Sequence, residues 1–136
     1  QIQTAAGKHG MMATIGQAPW VGVGFLLMGG FGHQTRLMGV GSDRILGVEL
    51  VTAGGKHVCV GTQPTSDPES PACLRLNTQK ERDLLWSIRG AGSNFAVVVS
   101  LTLSLLPYHR VTASFQNYHM KDPVTASREL LQIYGD

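Results

Sequence analysis

The stretch Val21–Gly32, V-G-V-G-F-L-L-M-G-G-F-G, constrains this chain most: five glycines stand among seven apolar side chains. Glycine widens backbone freedom, removes side-chain bulk and weakens both helices and strands. A chain that accepts this at Gly22/Gly24 and again at Gly29/Gly30/Gly32 brings bare backbone close to something. A flat ligand, a phosphate or another chain segment would each suit. Glycine-led N–H groups near Gly29 would fit an anion or a ligand carbonyl. Tight packing of a helix on a sheet explains the same residues equally well.

The remaining composition narrows the choice. With 136 residues the chain can build one modest core. Apolar residues make up 43 % and charged residues 15 %, beside 17 glycines, so much backbone is buried or covered. The net charge of +2, with Lys and Arg scattered, gives no footprint for nucleic acid. The uncharged stretch between Lys8 and Arg36 is apolar only from Ala18 to Gly32 and carries Pro19. It falls short of the roughly 20 apolar residues that a membrane span needs. No basic segment precedes an apolar one at the start, so no signal peptide is read. Cys59 and Cys73 allow a single bridge and form no CxxC pair, and the five histidines show no metal-ligand spacing.

The order of elements reads as α+β: antiparallel strands with flanking helices. The opening predicts the tail of a helix ended by Gly7 or Gly10, as if the chain began mid-domain, then a short strand over Met11–Ile15. Gly16–Leu27 predicts a turn and an apolar strand begun at Pro19, and Gly29–Val40 a glycine-led helix stopped by Gly39. Arg44–Cys59 predicts a hairpin with Leu46, Val48 and Leu50 on one face and Ala53–Lys56 as its turn. Thr62–Cys73, with three prolines, reads as a loop. Thr78–Glu81 is a capping-box pattern opening a helix that stops at Gly90, with Arg89 suited to its dipole. Phe95–Leu106 predicts a strand ended by Pro107, with Val97, Val99, Leu101, Leu103 and Leu105 sharing a face. Val111–Tyr118 predicts another strand, and Asp122-Pro123 caps a last helix over Val124–Tyr134.

Generic chemistry stops at a glycine-lined binding surface. No nucleophile elbow or P-loop is present, and the glycine spacing fails the dinucleotide fingerprint because Leu27 stands at its last position. Asp43, Glu49, Glu81 and Asp83 are single carboxylates, and His33 beside Gly32 could reach a ligand or be structural.

Four segments taken together resemble one family. They are Gly16–Gly24 (G-Q-A-P-W-V-G-V-G), Gly29–Ile45 (G-G-F-G-H-Q-T-R-L-M-G-V-G-S-D-R-I), Val48–Gly55 (V-E-L-V-T-A-G-G) and Asp83–Pro107, with D-L-L-W-S-I-R-G-A-G-S-N-F as the most specific run. Their order and spacing resemble the FAD-linked oxidases of the vanillyl-alcohol oxidase superfamily, in the berberine-bridge-enzyme-like branch.

The resemblance implies the second subdomain of a PCMH-type FAD-binding domain over residues 1–107, with 108–136 a connecting segment or the start of a substrate domain. The first subdomain would then lie before Gln1, and the rest of the substrate domain after Asp136. It implies part of an oxidoreductase that passes hydride from a small organic substrate to FAD, with O₂ as reoxidant. Partners would be FAD, a small-molecule substrate and the missing parts of the parent chain, with no nucleic acid and no membrane. The other reading is a truncated, non-catalytic remnant or scaffold.

By the same resemblance Val21, Gly22 and Gly24 would lie along the flavin ring and ribitol. Gly29, Gly30 and Gly32 would line the ribitol and pyrophosphate, and the backbone of Val97 would hold the adenine end. The departures are Ala18 where some members carry a flavin-linked cysteine, Phe25 where V-G-V-G-G has its last glycine, and Ala96 where glycine is common.

Overall fold

A computed structural model describes residues 1–62, 74–75, 78–110, 112 and 122–135. In chain order the elements are α1 (Ile2–Gly7), β1 (Met11–Met12), α2 (Gly22–Leu27) and α3 (Thr35–Met38). They continue with β2 (Ile45–Thr52), β3 (His57–Gly61), β4 (Leu74–Arg75), α4 (Thr78–Ala91), β5 (Ala96–Leu103), β6 (Leu106–Pro107) and α5 (Pro123–Gly135). Short 3-10 turns at Gly41–Arg44 and Gly92–Asn94 lead into β2 and β5. This is mixed helix and largely antiparallel strand, as the sequence predicts.

The sheet is ordered β4-β3-β2-β5, antiparallel except for the β3–β4 pair. Register places Val60, Val48 and Leu101 in one row and Val58, Leu50 and Val98 in the next. The core is built on these rows: Ile45, Val48, Leu50, Val58 and Val60 bury against Leu26 and Leu27 of α2 and Ile88 of α4. Each such side chain contributes about 1.5–3 kcal/mol by leaving water. The hairpin turn is the expected one, closed by Thr52 N–H to the Lys56 carbonyl at 3.0 Å, with Gly55 at φ +73°.

Two strands depart from simple alternation. In β2 the register shifts between Ile45 and Gly47, which turns Leu46 outward and buries Ile45 instead. Gly47 and Gly61 are required there: a Cβ on Gly47 would lie 1.9 Å from the Thr62 carbonyl oxygen, and one on Gly61 2.2 Å from that of Leu46. In β5 an extra residue sits opposite the Glu49–Leu50 step, since Glu49 pairs with Ser100 and Leu50 with Val98. Such a bulge reverses which face the following side chains meet. Val98, Leu101 and Leu103 therefore pack on the core, while Val97 and Val99 point away. The single apolar face expected for Val97–Leu105 is thus split in two.

Other expectations need correction. Gly16–Leu27 does not end in a strand: Gly22–Leu27 is α2, because three successive apolar residues, Phe25–Leu27, find partners in three directions. Tertiary packing overrides the low helix propensity of glycine. The helix expected from Gly29 begins only at Thr35, since Gly29 and Gly30 hold φ +106° and +79°, outside the helical region. It stops at Gly39, φ +76°, as predicted. Pro107 does not end β5. It lies in β6, paired with Met11 of β1.

α4 loses helical geometry at Arg89 and Gly90, as expected, but Arg89 also ties the fold: its Nε donates to the Ile45 carbonyl at 2.8 Å. Glu81 accepts from the Gly61 N–H at 2.9 Å, linking α4 to β3. Asp122 caps α5 by accepting from Val124 N–H at 3.1 Å. The loop expected at 62–73 is described only at Thr62, and the strand expected at 111–118 only at Thr112.

Candidate functional site

The second glycine cluster folds back on its own chain. Gly41 N–H donates to the Gly30 carbonyl and Ser42 N–H to the Gly29 carbonyl, both at 2.9 Å, making a short backbone ladder. A Cβ on Gly30 would come within 2.9 Å of Gly41 Cα, and a Cβ on Gly32 within 2.9 Å of the Ile15 carbonyl oxygen. Gly32 N–H donates to Thr35 Oγ1 at 2.8 Å. The lack of side chains at Gly30 and Gly32 is therefore explained by close backbone packing. Arg44, at the far end of the loop, donates through Nε to the Met38 carbonyl at 2.9 Å and closes it.

The first cluster is different. A Cβ on Gly22 or on Gly24 would meet no atom of the described residues within 4 Å. Gly22 opens α2 at φ +56°, a conformation that suits glycine. Val21 is more than a third exposed, and Gly22 and Gly24 are exposed. Here bare backbone does face open space.

Val97 lies on β5, an edge strand among the described strands, and the residue is 70 % exposed.

Two cavities flank these segments. One, about 510 Å³, lies between α1, Val23 of α2 and Val98–Leu101 of β5. It brings the neighbours of Gly22, Gly24 and Val97 to one groove. The other, about 850 Å³, is bordered by Thr14, Gly16, Gln17, Gly32, His33 and Arg36 among others. His33 Nε2 and Gln17 Oε1 are 2.7 Å apart beside it, and Thr14 Oγ1 is buried with no hydrogen-bond partner among the described residues. Of the candidates from the sequence, Gly32 and its neighbour His33 border the second cavity directly.

Sequence reasoning missed Gly41 and Gly92 as close-packing glycines. The recurrence of glycine at 29, 30, 39 and 41 within one loop was the available signal for Gly41. Glu49, His57 and Cys59 also approach one another, their ligand atoms within 4.8 Å. Cys59 is disulfide-bonded, so it offers no thiolate to a metal, and Glu49 and His57 face each other at 3.6 Å.

No known family profile matches the chain. It is 40 % identical over 101 residues to (R)-6-hydroxynicotine oxidase of Paenarthrobacter nicotinovorans, covering 74 % of this chain and 19 % of that protein. It is 30 % identical over 130 residues to an FAD-linked oxidoreductase of Dictyostelium discoideum, covering 95 % and 24 % respectively. The crystal structure of 6-hydroxy-D-nicotine oxidase from Arthrobacter nicotinovorans superposes with a TM-score of 0.60 at 37 % identity, over 77 % of this chain and 20 % of that one. The relatives of this chain are FAD-linked oxidases of the vanillyl-alcohol oxidase and berberine-bridge-like family. The chain spans about a fifth of the length of the family members that it matches.

The residues present can be tested against the FAD that the family implies. Gly22 and Gly24 offer backbone with room beside it, which fits a flat or extended ligand. Gly30 and Gly32 are closed by Gly41 and Ile15, so their bare backbone is taken up in the frame of the loop and offers no such room.

Proposed function

We propose that this chain serves as the second subdomain of a PCMH-type FAD-binding domain, over residues 1–107, with 108–136 a connecting segment toward a substrate domain. The assembled protein would be an oxidoreductase that takes a hydride from a small organic substrate and returns electrons to O₂. The observation that carries the reading is the open backbone at Gly22 and Gly24, set beside a glycine frame closed by backbone contacts, in a chain whose relatives are FAD-linked.

In this reading Val21, Gly22 and Gly24 lie along the flavin ring and ribitol, where any larger residue would hold the cofactor away. Gly29, Gly30 and Gly32 shape the surface toward the pyrophosphate, and the edge backbone of Val97 holds the adenine end. Bound FAD supplies the hydride acceptor, while the protein binds, orients and tunes it.

The test is a titration of the purified chain with FAD, following the flavin absorption spectrum, then a desalting column. A reversible spectral shift with flavin lost on the column is the expected result. A spectrum identical to that of free FAD at every protein concentration would reject autonomous binding and favour the non-catalytic remnant.

A further inference from the structure

The side chains of Phe25, Leu26 and Leu27 of α2 each occupy space that a Cβ on a glycine from another part of the chain would enter. A Cβ on Gly16 would lie 2.3 Å from Val21 Cγ2 and 3.4 Å from Phe25 Cγ and Cδ2, and one on Gly30 would lie 2.9 Å from Gly41 Cα and 3.3 Å from Phe25 Cε1. One on Gly41 would lie 2.5 Å from Leu26 Cδ2, and one on Gly92 2.9 Å from Leu27 Cδ2. The Phe25 ring thus bridges the approach at Gly16 and the ladder at Gly30, while Leu26 holds the other strand of that ladder. Gly24 precedes Phe25 directly, so seating the ring also sets the open backbone beside it.

We infer that Phe25 is a positioning residue, a wedge that fixes the spacing between Gly16 and Gly30 and thereby the pose of the Gly22–Gly24 backbone toward its ligand. The inference rests on the reading that this backbone faces FAD. Aromatic bulk suits the role because a rigid ring set beside two backbones resists their collapse onto one another. Leucine could fill part of the space, whereas alanine would leave the segments free to move.

The experiment compares the full 136-residue chain with Phe25→Ala and Phe25→Leu. Amide hydrogen exchange is read at Gly41 and Ser42, whose bonds to Gly30 and Gly29 report the ladder, and along β2 and β3 as an internal reference. FAD affinity is read by spectral titration. For Phe25→Ala, exchange at Gly41 and Ser42 should rise on the order of tenfold relative to the β2–β3 hairpin. FAD affinity should fall on the order of tenfold, with Phe25→Leu restoring part of both losses.

Unchanged exchange at Gly41 and Ser42 in both variants would overturn the wedge. Faster exchange with unaltered FAD affinity would overturn its positioning role. If the parent chain leaves the flavin spectrum unmoved while Phe25→Ala loosens these amides, the FAD reading fails and the wedge stands. Should Phe25→Ala lose the hairpin as well, Phe25→Leu carries the comparison. An exchange rate in it equal to the parent's at both amides, with equal affinity, would again overturn the inference.

Discussion

Replacing Gly30 by alanine should damage the fold, whereas the same change at Gly24 should not. Gly30 holds φ +79°, where an L-residue is strained by about 1–2 kcal/mol. Its new methyl would also lie 2.9 Å from Gly41 Cα and 3.0 Å from Gly41 N, both backbone atoms that cannot swing aside. Overpacking of this kind costs about 1–3 kcal/mol, and the stiffer unfolded chain offsets about 0.4–1 kcal/mol. The net loss is about 1–5 kcal/mol, a drop of about 0.7–3 M in the urea midpoint at an m-value near 1.5 kcal/mol/M.

Gly24 lies in α2 with no atom of the described residues within 4 Å of an added Cβ, and its φ is not positive. Alanine there should stabilise by about 0.5–1 kcal/mol through helix propensity. If this backbone lies against flavin, the same methyl should weaken FAD binding by about 5- to 150-fold. Urea unfolding of the two variants beside the parent reads the stability difference. A Gly30→Ala protein as stable as the parent, or a Gly24→Ala protein as damaged as Gly30→Ala, would refute the division of the glycines into frame and surface.

Other perturbations probe separate links. Arg89→Met removes the charge-assisted bond to the Ile45 carbonyl and should cost about 1–3 kcal/mol in chemical denaturation, with Arg89→Lys recovering part of it. Hydrogen bonds from the Thr125 hydroxyl and the Val124 amide hold the Asp122 carboxyl below its ordinary value of 3.8. The cap's contribution is therefore fully present above that value and lost as pH falls through the lower folded one. An acid titration of the far-ultraviolet helical signal should show this step, and Asp122→Ala should abolish it. Reductant should destabilise the fold by about 2–4 kcal/mol through loss of the Cys59 bridge, read as a lower unfolding midpoint, while Cys59→Ser should make the protein indifferent to reductant.

Much of this was legible from the residues alone, because local rules and the fold agree. The Ala53–Lys56 turn, the stop at Gly90 and the Asp122 cap each follow from a backbone need that few residues meet. What misled was alternation. In Val21–Leu27 glycine and valine alternate as in a strand, yet the segment is helical because Leu26 and Leu27 are both buried. In β5 apolar residues stand at every second position from Val97 to Leu103, but Val98 is apolar too, and the run Val97–Val99 does not by itself say which valine turns inward. The glycine frame shows the same limit. Composition marks Gly30 and Gly24 alike, and only the folded neighbours separate a backbone pressed on Gly41 from one facing open space.

The bulge in β5 gives that strand two loyalties. Leu101 and Leu103 beyond it, and Val98 before it, belong to the interior, while Val97 and the bulged Val99 present bare hydrocarbon on a rim strand of the described sheet. Unguarded rims of this composition invite pairing with any passing chain. Handled alone at high concentration, the polypeptide should therefore self-associate through this margin, and a charged residue at position 99 should keep it dispersed without touching the interior.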